Sequence, residues 1–181
     1  LAAPLAAQEL TPEQQKAMEA FAKLMAPNEN HEFLTNLVGE WKSTISMWMA
    51  PGAPPDVSEG TITAESVLGG RFLMLRFRGT MFGQPYEGLE ILGYDTMKNK
   101  YITLWIDNTS TMFYQLEGTR EKDAKAIHDH ATWFDPSTGG QTAVHAITTV
   151  AGPDAYSFEL FMVGPDGKET KSMEYRAVRA K

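Results

Sequence analysis

Three groups of side chains in this sequence are of types that do chemistry. His128-Asp129-His130 is the only histidine cluster. On an extended strand His128 and His130 project from one face, about 7 Å apart along the chain, a spacing that suits two ligands of a metal. A metal site takes three or four ligands, and neither His31 nor His145 has a sequence link to the pair. A polar, solvent-facing strand is the simpler reading, and no metal is expected. Arg76 and Arg78 share a strand face with Phe72 and Met74, while Leu73, Leu75 and Phe77 occupy the other. Facing inward, the arginines would hold a ligand carboxylate bidentately in an apolar chamber. Facing outward, they would pair with Glu87 or Glu90 on the next strand. The apolar 73/75/77 face is the better core, which favours the outward alternative; both arginines stay candidate ligand-binding residues on the inward one. Asp95, Asp107 and Glu117 fall at or near strand ends, where a rim carboxylate can serve as acid or base. Solvated turn carboxylates are the commoner outcome.

Nucleophilic catalysis finds no support. No Gly-x-Ser-x-Gly is present, no serine or threonine has a recognisable His and Asp pattern around it, and no glycine-rich loop precedes a helix in phosphate-binding form. The chain has 181 residues and no cysteine, which excludes a disulfide, a thiolate nucleophile, an iron–sulfur cluster and a cysteine zinc site. A net charge of −7 disfavours nucleic acid and anionic membrane surfaces as partners. Hydrophobic residues make up 43% of the chain, too many for a disordered protein, yet no run approaches the roughly 18 apolar residues that would insert in a bilayer.

The elements that must position these groups change character along the chain. Leu1-Ala2-Ala3-Pro4-Leu5-Ala6-Ala7 has the small, apolar look of a signal-peptide remnant, so residues 1–10 read as that or as a disordered N-terminus, with a periplasmic or secreted protein expected. Residues 11–38 read as a helical segment. Thr11 is an N-cap, Pro12 suits the first helical position, and Gln14 completes a capping box. Ala17, Met18, Phe21, Leu24 and Met25 then make an apolar stripe that must pack on something, since so short a helix does not stand alone. A second helical turn is expected over 30–38.

From residue 39 to 181 the rhythm is β. Strands are predicted near 40–49, 57–67, 71–79, 85–94, 100–107, 111–119, 125–134, 142–150, 155–163 and 169–179, punctuated by turns such as Gly69-Gly70 and Gly164-Pro165-Asp166-Gly167. Each strand with its turn takes about fourteen residues, too few for crossover helices, so successive strands should be antiparallel neighbours. A meander of that length either stacks as a sandwich or closes. A closed ten-strand barrel is wider than side chains alone readily fill, which predicts an internal cavity.

Gly39-Glu40-Trp41, at the start of the first strand after a helical turn, resembles the Gly-x-Trp of lipocalins, fatty-acid-binding proteins and other calycin barrels. The resemblance implies that Trp41 closes the barrel base under an arginine of the last strand, Arg179 or else Arg176. Over residues 34–179 the chain also resembles a bacterial, usually exported family of unknown function. The matching strings are Gly39-Glu40-Trp41, Pro51-Gly52-Ala53-Pro54-Pro55, Leu68-Gly69-Gly70-Arg71-Phe72-Leu73, Gly83-Gln84-Pro85-Tyr86-Glu87-Gly88, Gly93-Tyr94-Asp95 and Asp135-Pro136-Ser137-Thr138-Gly139. This resemblance implies an all-β, up-and-down, calycin-like barrel and supplies no activity, cofactor or catalytic residue. The chain departs from it at Glu121-Lys122-Asp123-Ala124-Lys125, where a turn with Asp and Gly is expected. Some ten-strand calycin barrels bind haem through a histidine near the C-terminus; the last strand here has none, and His145 reads as structural.

The leading expectation is a binding protein for a small apolar or amphipathic molecule, with Met47, Tyr101, Trp105 and Tyr114 among the lining residues and no cofactor. Methionine and aromatic side chains suit a loosely fitted apolar guest, although the same residues also fill ordinary cores. Two other classes stay open. An enzyme would need an inward carboxylate or histidine with a displaced pKa, and an interaction scaffold would need an exposed apolar patch.

Overall fold

Thr11 starts the first helix as its side chain dictates: Gln14 N–H donates to Thr11 Oγ1 at 3.2 Å and Thr11 N–H donates to Gln14 Oε1 at 2.9 Å. The computed structural model describes residues 10–135 and 139–181. The Leu1–Ala7 stretch and the turn residues 136–138 therefore lie outside the described residues. Helix α1 spans Pro12–Leu24, α2 spans Glu29–Leu34, and a 3₁₀ turn covers Thr35–Leu37. Asn28 caps α2, accepting from Asn30 N–H at 3.0 Å, while its own N–H donates to His31 Nδ1 at 3.0 Å. Leu34 and Leu37 are buried.

The expectation that the α1 stripe packs on the rest of the chain is not met. Met18 is 58% exposed and Phe21 61%, and α1 buries no residue among those described. The reason is that α2 and the 3₁₀ turn already occupy the barrel end, in contact with the fourth and eighth strands.

Ten strands follow: β1 Gly39–Met47, β2 Asp56–Val67, β3 Phe72–Met81, β4 Gln84–Asp95, β5 Lys100–Asp107, β6 Tyr114–Thr119, β7 Ala126–Asp135, β8 Gly140–Gly152, β9 Ala155–Val163 and β10 Glu169–Arg179. Each pairs antiparallel with its chain neighbours, and β1 pairs with β10 as well as β2, closing the barrel. Strand β6 begins three residues later than the pattern predicts, because the Asp107 carboxylate holds a loop there. It accepts from Thr109 N–H at 2.8 Å and Thr109 Oγ1 at 2.6 Å. The β6–β7 turn, where the sequence departs from the family pattern, is organised by Arg120, which donates to Ala124 O at 3.0 Å and Tyr101 Oη at 3.0 Å. Asp123 there takes the left-handed conformation, with φ 64°.

The end of the barrel beside α2 is a sealed floor. Trp41 is 1% exposed, its Nε1–H donates to Leu37 O at 2.9 Å, and the Arg179 guanidinium lies 4.1 Å from the indole centroid. Arg179 also donates to Val38 O at 3.0 Å and twice to Pro153 O, at 2.8 and 2.6 Å. One planar cation thus stacks on the ring and satisfies carbonyls where the chain enters and leaves the sheet. Gly39 is needed beside it, since its φ is 130° and a Cβ would occupy the place of Arg179 Nη1.

Trp41→Ala should lower unfolding stability by about 3–5 kcal/mol, read from urea denaturation. Deleting residues up to Leu24 should change it by less than about 0.5 kcal/mol, because α1 buries nothing on the barrel.

Candidate functional site

Cross-strand register decides which side chains face the lumen, because directly opposed residues in an antiparallel pair lie on one side of the sheet. Trp41, Ile62 and Leu75 share the inner face with Leu92, Ile127 and Ala177, and all six are buried near the floor. Further from the floor the inner face loosens. Met47 and Met173 face each other across β1 and β10, and both are only half-buried; so are Trp105, Tyr114, Trp133 and Leu160. In a closed barrel an inward side chain keeps accessible surface only where the lumen has room. The upper half is therefore a cup, opening between the loops at the far end from α2. A cleft of about 760 Å³ adjoins that rim, bordered by Trp48, Met49, Pro51, Met162 and Thr170 among others.

Between floor and mouth stand aromatic rings and, among the polar side chains, a set of titratable groups. Phe77 packs edge-on against Trp105 and Tyr175, with centroids 4.9 and 5.6 Å apart, and Phe158 stacks on Tyr175 at 5.3 Å. Glu90, opposite Leu75 on one side and Trp105 on the other, projects into this layer. Asp129, opposite Gly118 and Ala146, joins it from β7. The Asp129 carboxyl lies directly over Gly118, where any Cβ would collide with it. Tyr156 and Tyr175 complete the set, with ring centroids 5.8 Å apart.

Asp129, Tyr156 and Tyr175 are buried, and Glu90 is half-buried beside them. Asp129 Oδ1 and, nearer the mouth, Trp133 Nε1 are buried without a hydrogen-bond partner, while Tyr156 Oη has the Tyr175 hydroxyl beside it. Burial, with a smaller contribution from the Asp129 charge, pushes the Glu90 pKa up to about 8. Burial pushes Asp129 up to about 7 and raises both tyrosines above the ordinary phenol range. Between the Trp41 floor and the mouth, no inward position among the described residues is lysine, arginine or histidine. The inner wall thus carries Glu90 and Asp129, with Asp107 on the same face nearer the mouth, and no base beside them.

The structure scatters the sequence-predicted residues. Met47, Trp105 and Tyr114 face the upper lumen. Trp105 donates to Asp107 Oδ2 at 2.8 Å, and Tyr114 packs edge-on against Trp133 at 4.9 Å. Tyr101 does not line it: it is 1% exposed at the floor, where its hydroxyl donates to Asn30 Oδ1 at 3.0 Å and ties α2 to the barrel. Arg76 and Arg78 do not line it either. They stand on the outer wall, because Leu75 and Phe77 take the inner face, and Arg78 meets Glu87 at 3.6 Å in an exposed pair worth little. Glu90, the other proposed partner of the arginines, points inward instead.

The rim carboxylates also separate. Burial opposes ionisation of Asp107, but hydrogen bonds from Thr109 and Trp105 outweigh it and hold its pKa below the ordinary value. Asp95 caps the β4–β5 turn, and Glu117 pairs outside with Lys98 at 2.8 Å and Lys100 at 3.1 Å.

The histidines meet on the outer wall. His145 lies opposite His130 in register, and His128 Nδ1 is 3.1 Å from His145 Nε2. His130 and His145 stack nearly parallel, centroids 4.6 Å apart, and His145 Nδ1 is 2.8 Å from Glu169 Oε1. Stacked rings do not converge their lone pairs, and among the described residues no group of three or more such side chains is arranged to hold a metal. His145 points away from the lumen and so from any group bound there.

Sequence reasoning missed Glu90 and Asp129. For Asp129 a signal exists: it alternates with Ile127 and Ala131, opposite the histidine face. For Glu90 none is clear, because Leu89 and Ile91 on the outer face are more apolar than the inner neighbour Gly88.

Fold and interior together define a closed, ten-stranded antiparallel barrel with one sealed end and an upper inner face of half-buried side chains above inward acids. Residues 26–179 match the family described as protein of unknown function (DUF1579), and the chain belongs to that family. Among solved structures it is similar to Rv2717c from M. tuberculosis, at 14% identity and a TM-score of 0.62, covering 86% of this chain and 100% of that one. It is less similar to two redesigned β-barrels. One, b11L5F_LGL, has 16% identity, covers 81% of this chain and 94% of the other, and scores 0.44. The second, mFAP0 bound to DFHBI, has 15% identity, covers 80% and 99%, and scores 0.43. No curated protein matches. Among the described residues no helix is long and apolar enough to cross a membrane.

A buried acid that is neutral when folded and ionised when unfolded gives a signed pH dependence. Glu90, raised from 4.5 to about 8, contributes stability that is full below about pH 4.5 and is lost as pH rises through 8. Glu90→Gln should therefore gain on the parent by up to about 1.4 kcal/mol per pH unit between pH 5 and 8. Urea unfolding at each pH measures it; parallel stability curves would disprove it.

Proposed function

We propose that this protein is an exported, calycin-like binding protein that takes a small apolar or amphipathic molecule into the upper half of its barrel. The observation that carries the reading is the loosened inner face, where Met47, Trp105, Leu160 and Met173 all turn inward and all keep accessible surface. Displacing water from such a surface onto a ligand is the ordinary source of affinity in a concave apolar site, and the few polar groups beneath orient the guest. The signal-like composition of residues 1–7 is what supports the exported setting, which cell fractionation tests.

A second reading is favoured by one specific feature. Two inward carboxyls with pKa values near neutrality are what acid–base catalysis on a bound molecule requires. It makes the lumen an active site instead of a store, and turnover of a captured ligand would distinguish it.

Titration with the neutral dye N-phenyl-1-naphthylamine should give saturable fluorescence enhancement and quench tryptophan emission, since Trp105 and Trp133 line the cup. Leu160→Trp, which fills the lumen, should weaken binding at least tenfold. Absence of saturable binding, or binding indifferent to that substitution, overturns the proposal.

A further inference from the structure

The polar groups in the lumen have a sign, and the sign names a ligand class. Glu90 reaches inward from β4 and Asp129 from β7, and neither carboxyl has a lysine, arginine or histidine facing it. Asp129 Oδ1 is buried without a hydrogen-bond partner, although buried polar atoms almost always have one. The groups that face Glu90 electrostatically are Asp129, Tyr156 and Tyr175, from three different strands, and all are acids. Towards the mouth come Asp107, already ionised and satisfied by Trp105 and Thr109, and then the sulfur and hydrocarbon of Met47, Met173 and Leu160.

We propose that the lumen selects a cationic amphiphile, a primary alkylamine in chemical class, with its ammonium group between Glu90 and Asp129 and its chain towards the methionine-lined mouth. The inference rests on the lumenal binding proposed above and specifies its guest. An ammonium group brings three donors and a positive charge to a place that holds an unpartnered acceptor and nothing to balance a charge. A fatty carboxylate meets the reverse: like charge from the acids, and no cation to pair with. An alcohol satisfies one acceptor and balances no charge. The choice runs opposite to the carboxylate clamp that Arg76 and Arg78 suggest in the sequence, since those arginines are on the far side of the wall.

The proton balance is explicit. Below about pH 7 both acids are largely protonated in the empty barrel, so seating an already protonated amine expels one proton from the carboxyl pair to solvent. Affinity should then rise with pH until the pair ionises by itself, near pH 8. The net charge of −7 adds a long-range bias towards cations, one that salt weakens.

The test uses the full chain and three probes of equal length below their aggregation concentrations: decylamine, decanol and decanoate, each displacing N-phenyl-1-naphthylamine. Decylamine should displace the dye at a concentration at least tenfold below decanol, and decanoate should be the weakest. Calorimetry at pH 6.5 in buffers of different ionisation enthalpy should show about one proton released per decylamine, and none for decanol. Glu90→Gln should bring decylamine to within about twofold of decanol, and Glu90→Gln with Asp129→Asn should also remove the proton release. Decanol matching decylamine in the parent, or an amine preference that survives the double substitution, overturns this inference and leaves lumenal binding intact. Failure of the neutral dye and of all three probes to bind overturns both.

Discussion

Closure is the constraint on which everything else in this molecule depends. A meander of ten strands has two free edges until β1 pairs with β10, and only then does one face of the sheet become an interior that water cannot flank. Pairing alone leaves two open ends. The end beside α2 is shut by a stack in which Arg179 lies over Trp41, Trp41 packs edge-on against Tyr156 at 4.8 Å, and Leu34 and Leu37 cover the remainder. Because the plug is at one end, packing density falls towards the other, and the vacancy is directional.

That gradient separates a close-packed, stabilising floor from the looser region in which binding is proposed. Near the floor, fully buried leucine, isoleucine and tryptophan supply the hydrophobic stabilisation that a domain of this size needs. Higher up, the aromatic layer around Phe77 and Tyr175 forms a platform beside the inward carboxyls of Glu90 and Asp129, and Asp129 Oδ1 has no hydrogen-bond partner. Such groups destabilise a fold unless something answers them. In mid-barrel they are flanked by tyrosines whose burial keeps them protonated, and this is the layer to which the proposed ligand is assigned.

Much of the architecture is legible in the residues. Thr11-Pro12-Glu13-Gln14 specifies a helix start through side-chain geometry that no distant contact can change, and the turn clusters fall between strands as their backbone preferences require. The strand bounds near β5, β9 and β10 follow from such punctuation. What local pattern leaves open is phase. β4 carries Leu89, Ile91 and Leu92, so neither face stands out as apolar, and the inward aim of Glu90 emerges only from its register against Leu75 and Trp105. Tyr101 shows the same difficulty: an inward aromatic looks identical in sequence whether it meets a cavity or a floor.

By itself the sequence determines a chain of ten short antiparallel strands behind a capped helical segment, without cysteine chemistry or a nucleophilic motif, because propensity, capping and turn chemistry act over a few residues. Tertiary structure alone decides that the α1 stripe stays bare, that His145 joins His128 and His130 outside, and that Glu90 and Asp129 both face inward. Those outcomes depend on which residues of distant strands stand opposite one another. That register is set by closure of the whole sheet, a property no single segment contains.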